Sequence, residues 1–161
     1  MKRVLFMRHG KSSWEYEVND KDRPLKERGI RDAHRVAQEL NSMGYVIDKA
    51  YSSPANRALH TAMICLRNLN FNLEEFKVKD ALYDFSGQSV LAFLKGLDES
   101  ISSVIIFGHN YAFTSLVNML GDDYLENLPT AGLAIIELDE MAWKNIKKGT
   151  TKSIIIPKEL R

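Results

Sequence analysis

Val4-Leu5-Phe6-Met7 is apolar without a break and runs straight into Arg8-His9-Gly10. An unalternating run of this kind suits a strand of a parallel sheet, where helices cover both faces and every side chain is buried. The pattern recurs late in the chain, where Val104-Ile105-Ile106-Phe107 leads into Gly108-His109-Asn110. Two strongly buried strands, each delivering a histidine at its end, therefore frame both the fold and the search for a site.

Working outward from these strands, helical and β-branched segments alternate. Ile30, Ala33, Ala37 and Leu40 share one face of a helix expected from about Lys26 to Met43 and closed by Gly44. Ala50-Tyr51-Ser52 is a short strand, and Pro54 stands where the next helix begins. In that helix, Ala55 to Leu69, one face carries Leu59, Ala62, Met63 and Leu66. Phe76 to Lys79, Leu133 to Leu138 and Ser153 to Ile156 are further strands, the last ended by Pro157; Ser89 to Leu97 and Phe113 to Leu120 are further helices. No repeat, linker or low-complexity segment divides the chain. The order predicts one domain over residues 1–161, a three-layer α/β/α sandwich around a mainly parallel sheet with right-handed crossovers.

Composition narrows the function classes. The 161 residues are 45% hydrophobic and 27% charged, enough apolar chain for a core without disulfides or structural metal. Twenty-two basic against twenty-one acidic residues leave a net charge of +1. A general nucleic-acid or membrane-surface binder draws its affinity from a large positive field, which is missing here. The one cysteine, Cys65, cannot form an intrachain disulfide and suits a reducing compartment. Met1 to Met7 is too short for a secretory signal and no stretch reaches membrane-spanning length, so the expectation is a soluble, cytoplasmic protein.

In folds of this type ligands sit beyond the carboxyl ends of the strands. There Arg8-His9-Gly10-Lys11 and Gly108-His109-Asn110 are expected to meet Ser52-Ser53-Pro54-Ala55-Asn56-Arg57, which places Arg57 in the first turn of its helix. Guanidinium groups match phosphoryl oxygens bidentately, and helix N-termini add backbone donors. A neutral imidazole is a competent nucleophile toward phosphorus. Neighbouring arginines would keep a proton off His9 by like-charge repulsion, and the Gly10 carbonyl would hold its second ring nitrogen.

Arg8-His9-Gly10, the segment Ser53-Pro54 to Arg57-Ala58 to Thr61-Ala62, and Gly108-His109 together resemble the histidine phosphatase superfamily. Arg23-Pro24-Leu25, the compact length, and the stretch from Leu128-Pro129-Thr130 through Trp143 to Pro157-Lys158 are similar to its SixA-type phosphohistidine phosphatase branch. The resemblance implies a phosphoglycerate mutase-like sandwich in which His9 becomes phosphorylated. It implies that Arg8 and Arg57 bind phosphate oxygens, that His109 stabilises the transition state, and that Arg23 also reaches the phosphate. Asp84 aligns with the position where much of the superfamily carries a leaving-group acid, and the expectation there is either that role or a solvated loop aspartate. Lys26 replaces a threonine helix cap common among relatives.

The preferred substrate on this reading is protein phosphohistidine, whose imidazole departs readily once protonated. The alternatives are a phosphatase for small phosphoesters, which depends more on an acid such as Asp84, and a non-catalytic phosphate or phosphoprotein binder. No cofactor and no metal are expected. His34 and His60 lie in helices without ligand spacing, and Asp20 with Asp22, like Asp122 with Asp123, lacks the further ligands of a calcium loop. Lys144 to Lys152 is expected to be a solvated turn.

Overall fold

The computed structural model describes residues 1–161. Strand β1 (Lys2–Arg8) is followed by helix α1 (Glu27–Met43), β2 (Lys49–Ser52), α2 (Asn56–Asn68), β3 (Phe76–Val78) and α3 (Gln88–Lys95). Then come β4 (Ser103–Gly108), α4 (Ala112–Leu120), β5 (Leu133–Leu138) and β6 (Thr150–Ile155). The six strands form one sheet in the order β3-β2-β4-β1-β5-β6. All neighbours from β3 to β1 are parallel, whereas β5 runs against both β1 and β6. The reversal at β5 has a local cause. After α4 has run down from the end of β4, the chain returns to the end where β1 finishes. There the Arg8 and Ala131 N–H groups donate to the Gly132 and His9 carbonyls at 3.0 and 2.9 Å, so the next strand must run back down.

The unbroken apolar runs serve both faces of the sheet. Leu5, Met7, Ile105 and Phe107 pack with Val36 and Leu40 of α1 and Ala62 and Leu66 of α2. Their sequence neighbours Val4, Phe6, Val104 and Ile106 pack with Val90 and Leu94 of α3 and Phe113 and Leu116 of α4. Each such side chain contributes on the order of 1.5–3 kcal/mol by leaving water, which is why the two central strands anchor the sandwich. Helix α1 starts at Lys26 without a side-chain cap, in keeping with the missing threonine, and ends at Gly44 in the left-handed region at φ 72°. The last strand is the main boundary difference. It begins at Thr150 rather than Ser153, because the exposed positions Thr150 and Lys152 face solvent at the sheet edge and mask the apolar pattern.

Register sets the site. Arg8 stands opposite Gly108, and Ser52 opposite Phe107. His9, His109 and Ser53 therefore leave the sheet side by side. Two ladder bonds continue past the strand ends, from His9 N–H to the Gly108 carbonyl at 3.1 Å and from Ser53 N–H to the Phe107 carbonyl at 3.0 Å. On the α1 side the loop after β1 lies directly on helical backbone. A Cβ on Gly29 would come within 2.3 Å of the Lys11 carbonyl oxygen, and one on Gly10 within 2.6 Å of the Gly29 carbonyl oxygen.

Gly29→Ala separates two effects of opposite sign. Helix propensity alone would stabilise the chain by about 1 kcal/mol. The backbone contact with Lys11 dominates instead, and a net loss of about 1–3 kcal/mol is expected in urea unfolding. A raised unfolding midpoint would show that α1 does not sit on the loop.

Candidate active site

His9 is the best-defined group of the site. Its Nδ1 lies 2.7 Å from the Gly10 carbonyl. A carbonyl only accepts, so Nδ1 carries the proton and Nε2 keeps its lone pair. The ring is almost wholly buried, and its pKa is pushed down to about 3. Burial is the largest cause. The Gly10 carbonyl opposes it, and Arg57, Arg8 and Arg23 add smaller repulsions. The sequence suggests the arginines as the cause, but exclusion of water from the ring outweighs them. The loop itself is tied to α2 through Thr61, whose hydroxyl accepts the Gly10 N–H at 3.0 Å and donates to the Arg57 carbonyl at 2.8 Å.

Around His9 the structure gathers Arg8, Arg23 and Arg57 into a pocket of about 310 Å³ that opens to the surface beside Trp14 and Phe85. Arg8 Nη1 donates to the Leu128 carbonyl at 2.8 Å. Arg57, with only 2% of its side chain exposed, donates from Nη1 to the Asp20 carbonyl at 2.6 Å and from Nη2 to Asp20 Oδ2 at 2.9 Å. Arg23 donates from Nε to Asp20 Oδ1 at 3.2 Å and from Nη1 to Ser12 Oγ at 2.9 Å, while its guanidinium lies 3.5 Å from the centre of the Trp14 ring. The Nε atoms of Arg8 and Arg57 are buried without a protein partner. Three guanidinium groups beside one neutral imidazole can hold a phosphoryl group and stabilise charge on its oxygens.

His109 packs against His9. It is wholly buried, with its ring centre 5.3 Å from that of His9. Nε2 is 2.8 Å from Ser53 Oγ, which also accepts the Ala55 N–H at 3.1 Å, and Nδ1 has no protein partner. Burial first, then His9 and Arg57, push its pKa down to about 3, against a smaller raising effect of Asp20. Tyr83 meets the ring edge to face and Phe85 packs on it at a tilt, with centres at 5.3 and 4.9 Å.

Asp84 turns its carboxylate onto the backbone that follows it and is not a solvated loop side chain. Its Oδ2 accepts the Gly87 and Val90 N–H groups at 3.0 Å each, and Oδ1 accepts the Ser86 N–H at 3.0 Å and the Ser86 hydroxyl at 3.1 Å. Partial burial raises its pKa, but the N–H donors of Val90, Ser86 and Gly87 outweigh it and hold the carboxyl below its usual range. The side chain lies outside the pocket lining and secures the first turn of α3. Asp20, Tyr83 and Trp14, by contrast, enter the site without any signal of periodicity, since they lie in connecting segments. The one available hint for Asp20 was its position three residues before Arg23.

The geometry agrees with comparisons to known proteins. Residues 4–90 match the model of the histidine phosphatase superfamily, branch 1. The chain belongs to that superfamily. Its architecture is of the SixA type. It superposes on the protein histidine phosphatase SixA complexed with tungstate with a TM-score of 0.83 at 26% identity, covering 99% of both chains. SixA from Agrobacterium tumefaciens gives a TM-score of 0.81 at 28% identity, covering 97% of this chain and 98% of that one. An uncharacterised chloroplastic protein of Arabidopsis thaliana is 27% identical over 156 residues, which covers 89% of this chain and 69% of that protein.

The two buried imidazoles fix a pH dependence. Both bind a proton more weakly folded than at the ordinary value of 6.5, so between about pH 3 and 6.5 the unfolded chain holds more protons. Unfolding free energy is therefore expected to rise with pH through that window and to level off above it. Ring ¹⁵N shifts of His9 and His109 should stay those of neutral imidazole down to pH 5. A midpoint near 6.5 for either ring would contradict the burial account.

Proposed function

We propose that the chain is a metal-independent phosphatase that works through a phosphohistidine on His9, with phosphohistidine on a protein as its preferred substrate. The observation that carries this is the Nδ1 to Gly10 carbonyl bond inside a buried ring, which commits the Nε2 lone pair to attack at neutral pH. His9 Nε2 forms a bond to phosphorus as the substrate's P–N bond breaks in line. The departing imidazole takes that electron pair and leaves neutral because its other ring nitrogen already carries a proton taken from solvent. Water then attacks the phosphoryl group, the P–Nε2 bond breaks, the pair returns to His9, and phosphate departs with the water's proton passing to phosphate or solvent.

Arg8, Arg23 and Arg57 bind the phosphoryl oxygens and neutralise their charge in the transition state, work that a metal ion does elsewhere. His109, neutral and packed against His9, acts as the transition-state stabiliser, and the lack of a protein partner at its Nδ1 supports that role. The engagement of Asp84 in the α3 turn favours phosphohistidine over alkyl phosphates, because an imidazole needs less help from an acid to leave. The tungstate complex of the similar SixA structure shows a phosphate-like oxyanion bound to a relative of this chain.

Turnover of a ³²P-phosphohistidine protein, quenched in alkali, tests the reading. Wild type should carry alkali-stable label, and His9→Ala none, with kcat/KM lowered by at least about 10³. Arg57→Ala is expected to lose about 10²–10³ in kcat/KM through lost transition-state contacts. Equal turnover by His9→Ala and wild type would end the proposal.

A further inference from the structure

Asp20 stands where the site's cations converge. Its Oδ2 accepts Arg57 Nη2 at 2.9 Å and the Tyr83 hydroxyl at 2.5 Å, its Oδ1 accepts Arg23 Nε at 3.2 Å, and its backbone carbonyl accepts Arg57 Nη1 at 2.6 Å. Both terminal nitrogens of Arg57 are thus spent on one residue. These are the donors that a phosphoryl group in the same pocket would use, and a carboxylate gripped by two guanidinium groups imitates one edge of such a group. A doubly charged ligand must either take over these bonds or lie beside a like charge, and either course weakens its binding.

The segment that carries Asp20 lies at the surface. Asp20–Asp22 is a single 3₁₀ turn with no buried residue, and the Asn19 side chain before it makes no capping bond. The Asp20 side chain is 41% exposed, so solvent is at hand for the carboxylate once it is released. None of the turn's own residues belongs to the apolar core.

On the reading of this pocket as a phosphate site, we propose that Asp20 is an internal anion that competes with phosphate for Arg23 and Arg57. It thereby sets which phosphorylated ligands the pocket accepts. A phosphoryl group displayed on a protein brings contacts outside the pocket that offset displacement of the carboxylate. Inorganic phosphate brings none and is held weakly, so product leaves readily and does not occupy the site.

The test is phosphate binding by titration calorimetry and by inhibition, at fixed ionic strength, with folding checked by circular dichroism. Asp20→Asn keeps the shape and removes the charge, and it is expected to bind inorganic phosphate at least about tenfold more tightly. Its KM for the phosphohistidine protein should fall by less than its phosphate inhibition constant, because the protein's outer contacts are unaltered. Tyr83→Phe removes one bond that secures the carboxylate and should shift phosphate binding in the same direction by a smaller factor. Unchanged or weaker phosphate binding in folded Asp20→Asn would overturn the proposal and make Asp20 a residue that merely orients the arginines. Calorimetry needs no turnover, so a failed phosphatase assay leaves this result standing. If Arg57→Ala binds phosphate as well as wild type, the phosphate-site reading itself fails, and the competition with it.

Discussion

A carbonyl oxygen one residue along the chain holds a proton on one nitrogen of a buried ring, and the chemistry of the pocket depends on that contact. Without the Gly10 carbonyl, His9 could carry its proton on either nitrogen, and burial alone would leave the choice open. The contact requires the backbone of residues 9 and 10 to curl tightly. That curl is fixed on one side by the Thr61 hydroxyl and on the other by the bare backbone of Gly29. Helix packing in the first turn of α1 and the tautomer of a ring in the next layer are therefore one problem in geometry.

Charge in the site follows the same economy. Three guanidinium groups in a small pocket repel one another and any imidazolium near them, and the protein meets this with a single carboxylate, Asp20, and a few carbonyl oxygens. The resident carboxylate raises its pKa by partial burial and lowers it more through the hydroxyl of Tyr83 and the guanidinium of Arg57, so it stays ionised. The two histidines answer the opposite pressure by remaining neutral. Cations and neutral rings thus coexist because Arg23 and Arg57 share one anion and burial keeps protons off the rings.

Much of this was legible in the amino-acid order. The two apolar runs specified the central strands, and the periodic faces of α1 and α2 specified the layer that covers them, since burial on a regular element leaves a period in the sequence. Arg8, His9, Arg23 and Arg57 were all readable as pocket residues and are brought to one pocket. The less legible part lies in connecting segments. Asp20 meets Arg57 across 37 residues and Tyr83 across 63, and no local pattern marks such contacts. The partners of Asp84 were illegible for a related reason. Its position along the chain matched an acid, but its oxygens are turned onto the N–H groups of the next helix, a detail that only the fold decides. The complete burial of His109 is likewise a matter of depth that a sequence does not carry.

The account's central claim is that the phosphoryl group rests on His9 between two in-line displacements. Its stereochemical course at phosphorus tests this directly, with a substrate made chiral by sulfur and oxygen isotopes and hydrolysed in labelled water. Two displacements through phospho-His9 predict net retention of configuration in the product. Net inversion would mean that water attacks the substrate itself and that His9 never carries the group.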